Sequence, residues 1–264
     1  MDIDVHRRRA EALRERYPFA SEVLTLYLAL LDVWGAAADE RPEPARLVNW
    51  AADWVLPRVV KATEAAGPEP LAAASRTLVE EGRLDQALAA WLAGAELAPV
   101  ERYLARASLR PALELDAEAC AADPATRDGG RCPRCGGPPQ LSFRSHAEDP
   151  LVSGGRQLGC ARCGHSWSFS ASTCPSCGET AGAQRTVYAE QHDGPIVGQA
   201  TPSDSTFPHL RIDACASCAR YLIDVDMGRD TRAVPEVDEL AALPLDLYAG
   251  EHGLSKVTPN LMGF

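Results

Sequence analysis

The sequence predicts an α+β multidomain chain: an N-terminal all-α helical domain, then two small β modules that bind metal, then a C-terminal helix. Three observations support this fold class. Apolar residues in the first half recur at helical spacing among many alanines and leucines. The second half replaces that pattern with glycines, short alternating stretches and paired cysteines. Aromatic residues make up only 6% of the chain, which disfavours an all-β sandwich.

The composition narrows the class of protein before any motif is considered. The 264 residues are 46% hydrophobic and 24% charged, which provides enough apolar material for a packed core. We expect a cytoplasmic protein without membrane insertion, because no apolar run reaches about 20 residues and the N-terminus lacks the apolar core of a secretory signal. The net charge of −11 disfavours nucleic acid as a partner, since such binding needs a basic face.

The first helices are predicted from amphipathic segments interrupted by proline. A charged helix covers residues 6–16, an apolar one covers 18–34, and a proline-rich linker follows at 40–44. A third helical segment, at about 45–66, contains Pro57, which should kink or split it.

Three further helices are predicted before the cysteine-rich half. Two short ones cover residues 71–80 and 84–92, and a longer one starts near Pro99. Pro111 should break or bend that last helix. We interpret the leucine and aromatic stripes of all these helices as bundle core rather than as a cofactor site.

These patterns divide the chain into five segments. The linker is recognised by a run of alanine, aspartate, proline and glycine, and the helical pattern returns only near the C-terminus. The predicted segments are a helical domain at 1–121, a linker at 122–131, a first metal module at 132–171, a second metal module at 172–232, and a C-terminal helix and tail at 233–264.

Eight of the nine cysteines form four pairs in which two residues separate the cysteines. That spacing lets both sulfurs turn toward one ion, and two such pairs complete a tetrahedral site. Disulfides are a poor explanation in a reducing cytoplasm. The predicted metal ligands are Cys132, Cys135, Cys160, Cys163, Cys174, Cys177, Cys215 and Cys218.

The residues inside the pairs predict which pairs share an ion. The first and third pairs read Cys-Pro-x-Cys, whereas the second and fourth read Cys-Ala-x-Cys. This alternation is typical of a duplicated module, so we predict that the first pair joins the second and the third joins the fourth. A cross-brace, in which the first joins the third and the second joins the fourth, remains the alternative.

The residue after each pair bears on the shape of its turn. Gly136, Gly164 and Gly178 can adopt the left-handed conformation that such a turn often needs. Ala219 takes this place in the fourth pair. We therefore expect the fourth turn to be strained or shaped differently.

Two metal ions per chain are predicted, each in a four-cysteine site. Four thiolates suit zinc and iron alike, so spacing does not separate them. Sites filled by four cysteines are closed, and the sequence contains none of the common hydrolase, nucleotide-binding or metalloprotease motifs. We expect a protein that is not an enzyme, in which loss of Cys132 or Cys215 unfolds the local module while the helical half persists.

The other candidate residues receive structural interpretations. We interpret Cys120 as a small apolar residue. Three histidines are expected in loops, and three aspartates are expected on a solvated strand face or a contact surface. These residues are His146, His192 and His209, and Asp213, Asp224 and Asp226.

Four stretches of the sequence carry a family resemblance. They are RYLARASLRP at 102–111, CPRCGGPP at 132–139, LGCARCGHSW at 158–167 and CASCARYL at 215–222. Together with the ending at 245–261, they resemble the FdhE family of formate dehydrogenase accessory proteins. Ala219 and Ile223 depart from the family pattern, which bears on the partner surface of the second module.

The resemblance implies two rubredoxin-like, or zinc-ribbon, metal modules behind a helical domain. It also implies a cytoplasmic role in maturing respiratory formate dehydrogenase, through binding of its catalytic subunit before export. One alternative is a rubredoxin-like iron protein with a redox or electron-transfer role on the same client. A zinc-ribbon nucleic-acid-binding protein is a further alternative, which the acidity disfavours. The sequence predicts no oligomeric state.

Overall fold

The computed structural model describes residues 1–40, 42–116, 129–145, 154–190 and 205–264. Cys120, His146, His192 and most of the predicted linker lie outside the described residues. The helices are α1 Ile3–Arg16, α2 Ser21–Ala38, α3 Leu47–Trp50, α4 Leu56–Ala66, α5 Glu69–Glu80, α6 Leu84–Leu92, α7 Pro99–Leu115, α8 Pro235–Leu240 and α9 Leu243–Glu251. The strands are β1 Pro139–Arg144, β2 Arg156–Cys160, β3 Ser166–Ser168, β4 Arg185–Tyr188, β5 Leu210–Cys215, β6 Arg220–Asp226 and β7 Ser255–Lys256.

Local capping explains where some helices begin. The Asp2 carboxylate accepts a hydrogen bond from the backbone N–H of Val5, which satisfies one free donor in the first turn of α1. Helix α7 begins at Pro99, and the Glu101 carboxylate accepts from the backbone N–H of Ala98.

Pro57 and Pro111 affect their helices differently. A π-helical turn at Ala51–Val55 separates α3 from α4, whose second residue is Pro57. Proline lacks an N–H and its ring crowds the carbonyl four residues earlier, so a wider turn at this point relieves the conflict. The predicted kink or split therefore takes the form of a π-helical turn, with helical backbone on both sides of it. Helix α7 instead continues through Pro111 to Leu115, and the expected break does not occur.

The helical half packs around the stripes that the sequence predicts as core. Leu30, Leu31 and Leu104 are fully buried, which confirms the interpretation as bundle core. The indole N–H of Trp34 donates to the carbonyl oxygen of Ala107 at 2.8 Å and fixes α2 against α7.

Among the described residues, the segment Pro18–Ala38 is long and apolar enough to cross a membrane by length and composition alone. Leu24, Tyr27 and Trp34 of this segment are buried within the protein core. A core helix passes the same test. The absence of membrane insertion therefore stays a prediction.

The cysteine-rich half forms one mixed sheet. The strand order is β3-β2-β1-β6-β5-β4, with β7 beside β6. Neighbours pair antiparallel except for β1 with β6 and β6 with β7, which are parallel. The α+β fold class is confirmed, with a helical region first and short helices near the C-terminus. The parallel pair β1–β6 joins the strands of both predicted modules in a single sheet.

Buried ion pairs hold this sheet together, and the expectation of a solvated aspartate face is wrong for two of its residues. Asp224 is fully buried and accepts from the Ser142 hydroxyl and the Arg211 guanidinium, both at 2.7 Å. Asp213 is also buried, between Arg156 and Arg185. The four strands β1, β2, β4 and β5 bring arginines to this face, so the carboxylates are needed to balance their charge.

The C-terminal segment ties the two halves of the chain together. The carboxylate of Asp238 in α8 receives hydrogen bonds from Arg9 of α1 and lies 2.7 Å from the ring of His209. His209 lies in a turn, as expected for a loop residue, yet it is buried. Arg106 of α7 donates to the carbonyl oxygens of Pro259 and Asn260.

Candidate metal centres

Each cysteine pair lies in a tight turn at the end of a strand or just before one. The turns at Cys132 and Cys174 precede β1 and β4, and the turns at Cys160 and Cys215 follow from β2 and β5. In the first three turns the backbone N–H of the following glycine donates to the carbonyl oxygen of the first cysteine. This closes a turn that leaves both sulfurs on its inner side.

The residue after each pair adopts the left-handed backbone conformation. The φ angles of Gly136, Gly164 and Gly178 are +67°, +68° and +77°. Ala219 takes the same conformation with φ +53°, the sole positive φ of a non-glycine residue in the described chain. Of the two expectations for the fourth turn, strained or shaped differently, the structure supports strain, because a Cβ is unfavourable in this region of φ.

The structure gathers the eight cysteines in two groups. The first centre consists of Cys132, Cys135, Cys160 and Cys163, and the second centre consists of Cys174, Cys177, Cys215 and Cys218. Within each centre all four sulfurs lie within 4.8 Å of one another. The grouping is the sequential one, not the cross-brace.

The sulfur spacing fits a tetrahedral ion. A metal–sulfur bond of about 2.3 Å places the sulfurs of a regular tetrahedron about 3.8 Å apart. In the first centre, Sγ of Cys132 and Cys163 are separated by 3.7 Å, and in the second centre Sγ of Cys174 and Cys218 are separated by 3.8 Å. A disulfide would need about 2.05 Å. The donor sets thus fit zinc or iron, the ions that favour four thiolates.

Backbone and side-chain donors surround the first centre. The backbone N–H of Gly137 donates to the Cys135 sulfur at 3.4 Å, and that of Arg162 donates to the Cys160 sulfur at 3.3 Å. The guanidinium of Arg162 also donates to the Cys135 carbonyl oxygen. These donors stabilise negative charge on the thiolates.

Side chains from helices α6 and α7 lie against the turns of the first centre. The Arg110 guanidinium packs on Gly164, where a Cβ would overlap it. The Arg162 guanidinium lies 5.6 Å from the centre of the Trp91 ring in α6, within range of a cation–π contact. All four cysteines of this centre are buried.

The second centre is more open. Cys174 and Cys215 are buried, but Cys177 is exposed and Cys218 is half-buried. The Glu179 carboxylate accepts from the Ser217 hydroxyl at 2.8 Å and so links the two turns from outside.

Several thiols of the two centres differ in pKa from an ordinary cysteine. Hydrogen bonds from the neighbouring thiols, with Cys135 first, lower the pKa of Cys132, whereas burial raises the pKa of Cys160. Burial also raises the pKa of Cys218 to about 12. Metal ligation requires thiolates, so ion uptake by these centres should release protons.

Sequence reasoning found the eight cysteines but missed their surroundings. Arg162 lies inside the second pair, which was the available signal for its position beside the centre. Arg110 and Glu179 gave no such signal, because their roles depend on how distant segments meet in the fold.

Comparisons with known proteins agree with this architecture. Residues 173–262 match the family model described as FdhE, C-terminal domain. The chain is 30% identical over 133 residues to a protein named Protein FdhE homolog from Aquifex aeolicus, covering 50% of this chain and 41% of that protein. It is 31% identical over 133 residues to the protein of that name from Pseudomonas aeruginosa, covering 50% of this chain and 38% of that protein. The match spans less than half the length of these relatives.

A solved structure extends the likeness over the whole chain. The crystal structure of the FdhE protein from Pseudomonas aeruginosa superposes with a TM-score of 0.68 at 24% identity. The superposition covers 99% of this chain and 96% of that chain. The two proteins therefore share a fold, including the helical half that lies outside the matched family model.

Proposed function

We propose that this chain, which is similar to FdhE proteins in sequence and in fold, is a member of the FdhE family and a formate dehydrogenase accessory protein that acts by binding a client rather than by catalysis. The client is the catalytic subunit of respiratory formate dehydrogenase, bound in the cytoplasm before export. The observation that carries this proposal is the match of residues 173–262 to the FdhE C-terminal domain, combined with a fold shared along 99% of the chain.

The eight cysteines are proposed as ligands of two ions, one in each of the metal modules at 132–171 and 172–232. Sulfur separations of 3.5–3.8 Å within the centres support this role. A bound ion supplies folding free energy, since it fastens two turns that a small module has little core to hold. Four protein ligands leave no coordination position for a substrate, which favours a non-catalytic role.

We propose that the predicted segments act as functional units, although the strands of both metal modules belong to one sheet. The helical domain at 1–121 would cover the first module, and the C-terminal segment at 233–264 would fasten the two together. Asp238 with Arg9, and Arg106 with the carbonyl oxygen of Pro259, support that arrangement. The client would then meet one rigid body rather than separate flexible modules.

Anaerobic co-purification tests client binding. A tagged full-length chain is expressed with the formate dehydrogenase catalytic subunit, and a tagged zinc-ribbon protein of similar net charge serves as the control bait. We expect the catalytic subunit to be retained by this chain only. Recovery of a folded, metal-loaded chain without the catalytic subunit would contradict the proposal.

A redox role on the same client is the second candidate, because four thiolates fit iron as well as zinc. An iron centre of this type absorbs visible light when oxidised, whereas zinc does not. Protein purified without oxygen and then treated with a mild oxidant such as ferricyanide should show those bands, and lose them on reduction with dithionite, if this function is correct. A preparation with zinc in both centres and no visible absorption would exclude electron transfer.

A further inference from the structure

The two centres differ in how exposed their cysteine residues are. The cysteines of the first centre are 0–2% exposed. In the second centre Cys174 and Cys215 are equally shielded, but Cys177 is exposed and Cys218 is half-buried. One side of the second centre therefore faces solvent in the described structure.

The shielding of the first centre comes from the helical half. Its four cysteines belong to the same contiguous buried core as the helices, whereas Cys174 and Cys215 do not. Arg110 packs on the turn at Gly164, and Arg162 holds the Cys135 carbonyl while contacting Trp91. An incoming ligand would have to displace these groups before it reached a sulfur.

In the described structure the second centre lacks a cover comparable to Arg110 on the side of Gly178, although Gly130 contacts Pro175 and the Ser255 N–H donates to the Ala219 carbonyl oxygen. A Cβ built on Gly178 meets no atom within 4 Å, in contrast to Gly164, where it would overlap Arg110. In the other turn of the second centre, which contains Cys215 and Cys218, Ala219 adopts the left-handed conformation. That conformation is unfavourable for a residue with a Cβ. In the described structure, displacement of Cys177 would therefore not have to move a side chain that covers Gly178, and loss of the ion would allow the strained turn at Ala219 to relax.

We propose that the second centre is an exchangeable metal site, that Cys177 is the first ligand to be displaced, and that the first centre is closed and structural. This inference rests on the proposed ligand role of the eight cysteines. Exchange is a ligand substitution without redox change: a competing donor bonds to the ion, the bond to the Cys177 sulfur breaks, and the freed thiolate takes a proton from water. The class of ligand is a small soft donor, such as a thiolate, that can approach from the exposed side.

Metal release to a chelator tests the inference on the full-length chain loaded with zinc. The chelator 4-(2-pyridylazo)resorcinol reports each released ion by its colour. We expect two phases of one ion each, with the fast phase at least ten times faster than the slow one. Cys177→Ser should abolish or accelerate the fast phase and leave the slow phase unchanged, and Cys135→Ser is the matched variant for the slow phase.

Cysteine labelling provides a readout that needs no variant. The zinc-loaded chain is treated briefly with N-ethylmaleimide, and the labelled peptides are identified by mass spectrometry. Among the eight proposed ligands, we expect label at Cys177 first, then at the other cysteines of the second centre, and last at those of the first centre.

The outcomes separate this inference from the proposed function. Release of both ions in one phase, or earlier labelling of the first centre, would overturn the exchangeable site while leaving the metal ligands intact. A chain that binds no zinc or iron under anaerobic conditions would contradict the ligand role itself.

Discussion

The residue after the second cysteine of each turn has a left-handed backbone conformation, whether it is glycine or alanine. Gly136, Gly164, Gly178 and Ala219 all have positive φ, so the four turns share a left-handed residue at this place despite the change from glycine to alanine. Their surroundings differ, since Gly164 faces Arg110 and Gly178 faces open space. Position in the turn sets the strain, and the neighbour sets the additional cost of a side chain.

Gly164→Ala and Gly178→Ala form a matched pair that separates these two effects. Both introduce a Cβ at positive φ, which should cost about 1 kcal/mol of stability. Only Gly164→Ala also displaces the Arg110 guanidinium from its contact. Denaturant unfolding of the zinc-loaded variants should therefore show the larger loss for Gly164→Ala, and equal losses would contradict the packing of Arg110 on this turn.

Ala219→Gly should stabilise the second module. Removal of the Cβ relieves the left-handed strain, while the added freedom of glycine in the unfolded chain offsets part of the gain, so we expect a net increase of up to about 1 kcal/mol. Ala216→Gly, in the same turn at ordinary φ, should instead be neutral or destabilising. Denaturant unfolding of the zinc-loaded chains measures both, and a loss of stability in Ala219→Gly would contradict the strain.

At the scale of elements, the chain is joined by polar contacts between segments that lie far apart in sequence. Arg106 of α7 reaches the C-terminal tail and also donates to the side chain of Gln140 in β1. Gln140 in turn donates to Glu239 of α8, whose carboxylate lies 2.9 Å from the Lys256 ammonium group. Because this network is buried, removal of one member leaves others without a partner.

Arg106→Met tests that network. The substitution keeps an unbranched apolar side chain but leaves the Pro259 and Asn260 carbonyl oxygens and the Gln140 side chain without their donor. We expect a loss of about 2–4 kcal/mol in the free energy of unfolding. Arg76→Met, which breaks an exposed pair with Glu69, should change it by less than about 0.5 kcal/mol. Similar effects in the two variants would contradict a coupling role for α7.

The contact between α1 and α2 predicts a pH dependence. His6 lies 2.7 Å from the Tyr27 hydroxyl, and burial lowers the pKa of His6, while Glu236 and Glu114 oppose this shift and Arg110 adds to it. The unfolded chain then takes up the proton at higher pH than the folded chain. Stability should fall as the pH decreases from about 6.5, the ordinary pKa of histidine, through the folded pKa.

Unfolding of the wild-type chain and of His6→Gln between pH 7.5 and pH 5.5 measures this contribution. The wild type should lose stability more steeply, because only the wild type carries His6. The thiolates and carboxylates titrate in both chains, so their contributions cancel in the difference. Parallel curves would show that His6 does not titrate with folding.

The sequence could predict elements whose signals are local, and it could not predict how they meet. Apolar spacing and prolines indicated the helices, and the cysteine spacing with alternating Pro and Ala indicated both centres. The pairing of β1 with β6 depends on contacts such as Ser142 with Asp224, which lie 82 residues apart and leave no periodic pattern. For the same reason the sequence predicts a solvated face or a contact surface for Asp224, whereas the structure pairs it with Arg144 and Arg211 from other strands.

At the scale of the whole molecule, the two metal modules are not equivalent. The first centre is continuous with the core of the helical half, and the second lies at the far side of the shared sheet with Cys177 in solvent. The sequence alone suggested that each module would unfold locally when its cysteines are lost. The shared core predicts a different result for the first module.

Cys135→Ser should therefore destabilise the helical half, whereas Cys177→Ser should leave it nearly unchanged. Thermal unfolding followed by the helical circular dichroism signal at 222 nm measures this difference. The melting temperature should fall by several degrees in Cys135→Ser. An unchanged helical transition in that variant would show that the two halves fold independently.

The metal content of the anaerobically purified chain is the most direct test of the two proposed metal centres. Elemental analysis combined with X-ray absorption spectroscopy gives the number of ions and the atoms that bind them. The structure predicts two ions per chain, each with four sulfur neighbours at about 2.3 Å. One ion or none, or a first coordination sphere in which nitrogen or oxygen replaces sulfur, would contradict the two four-cysteine centres.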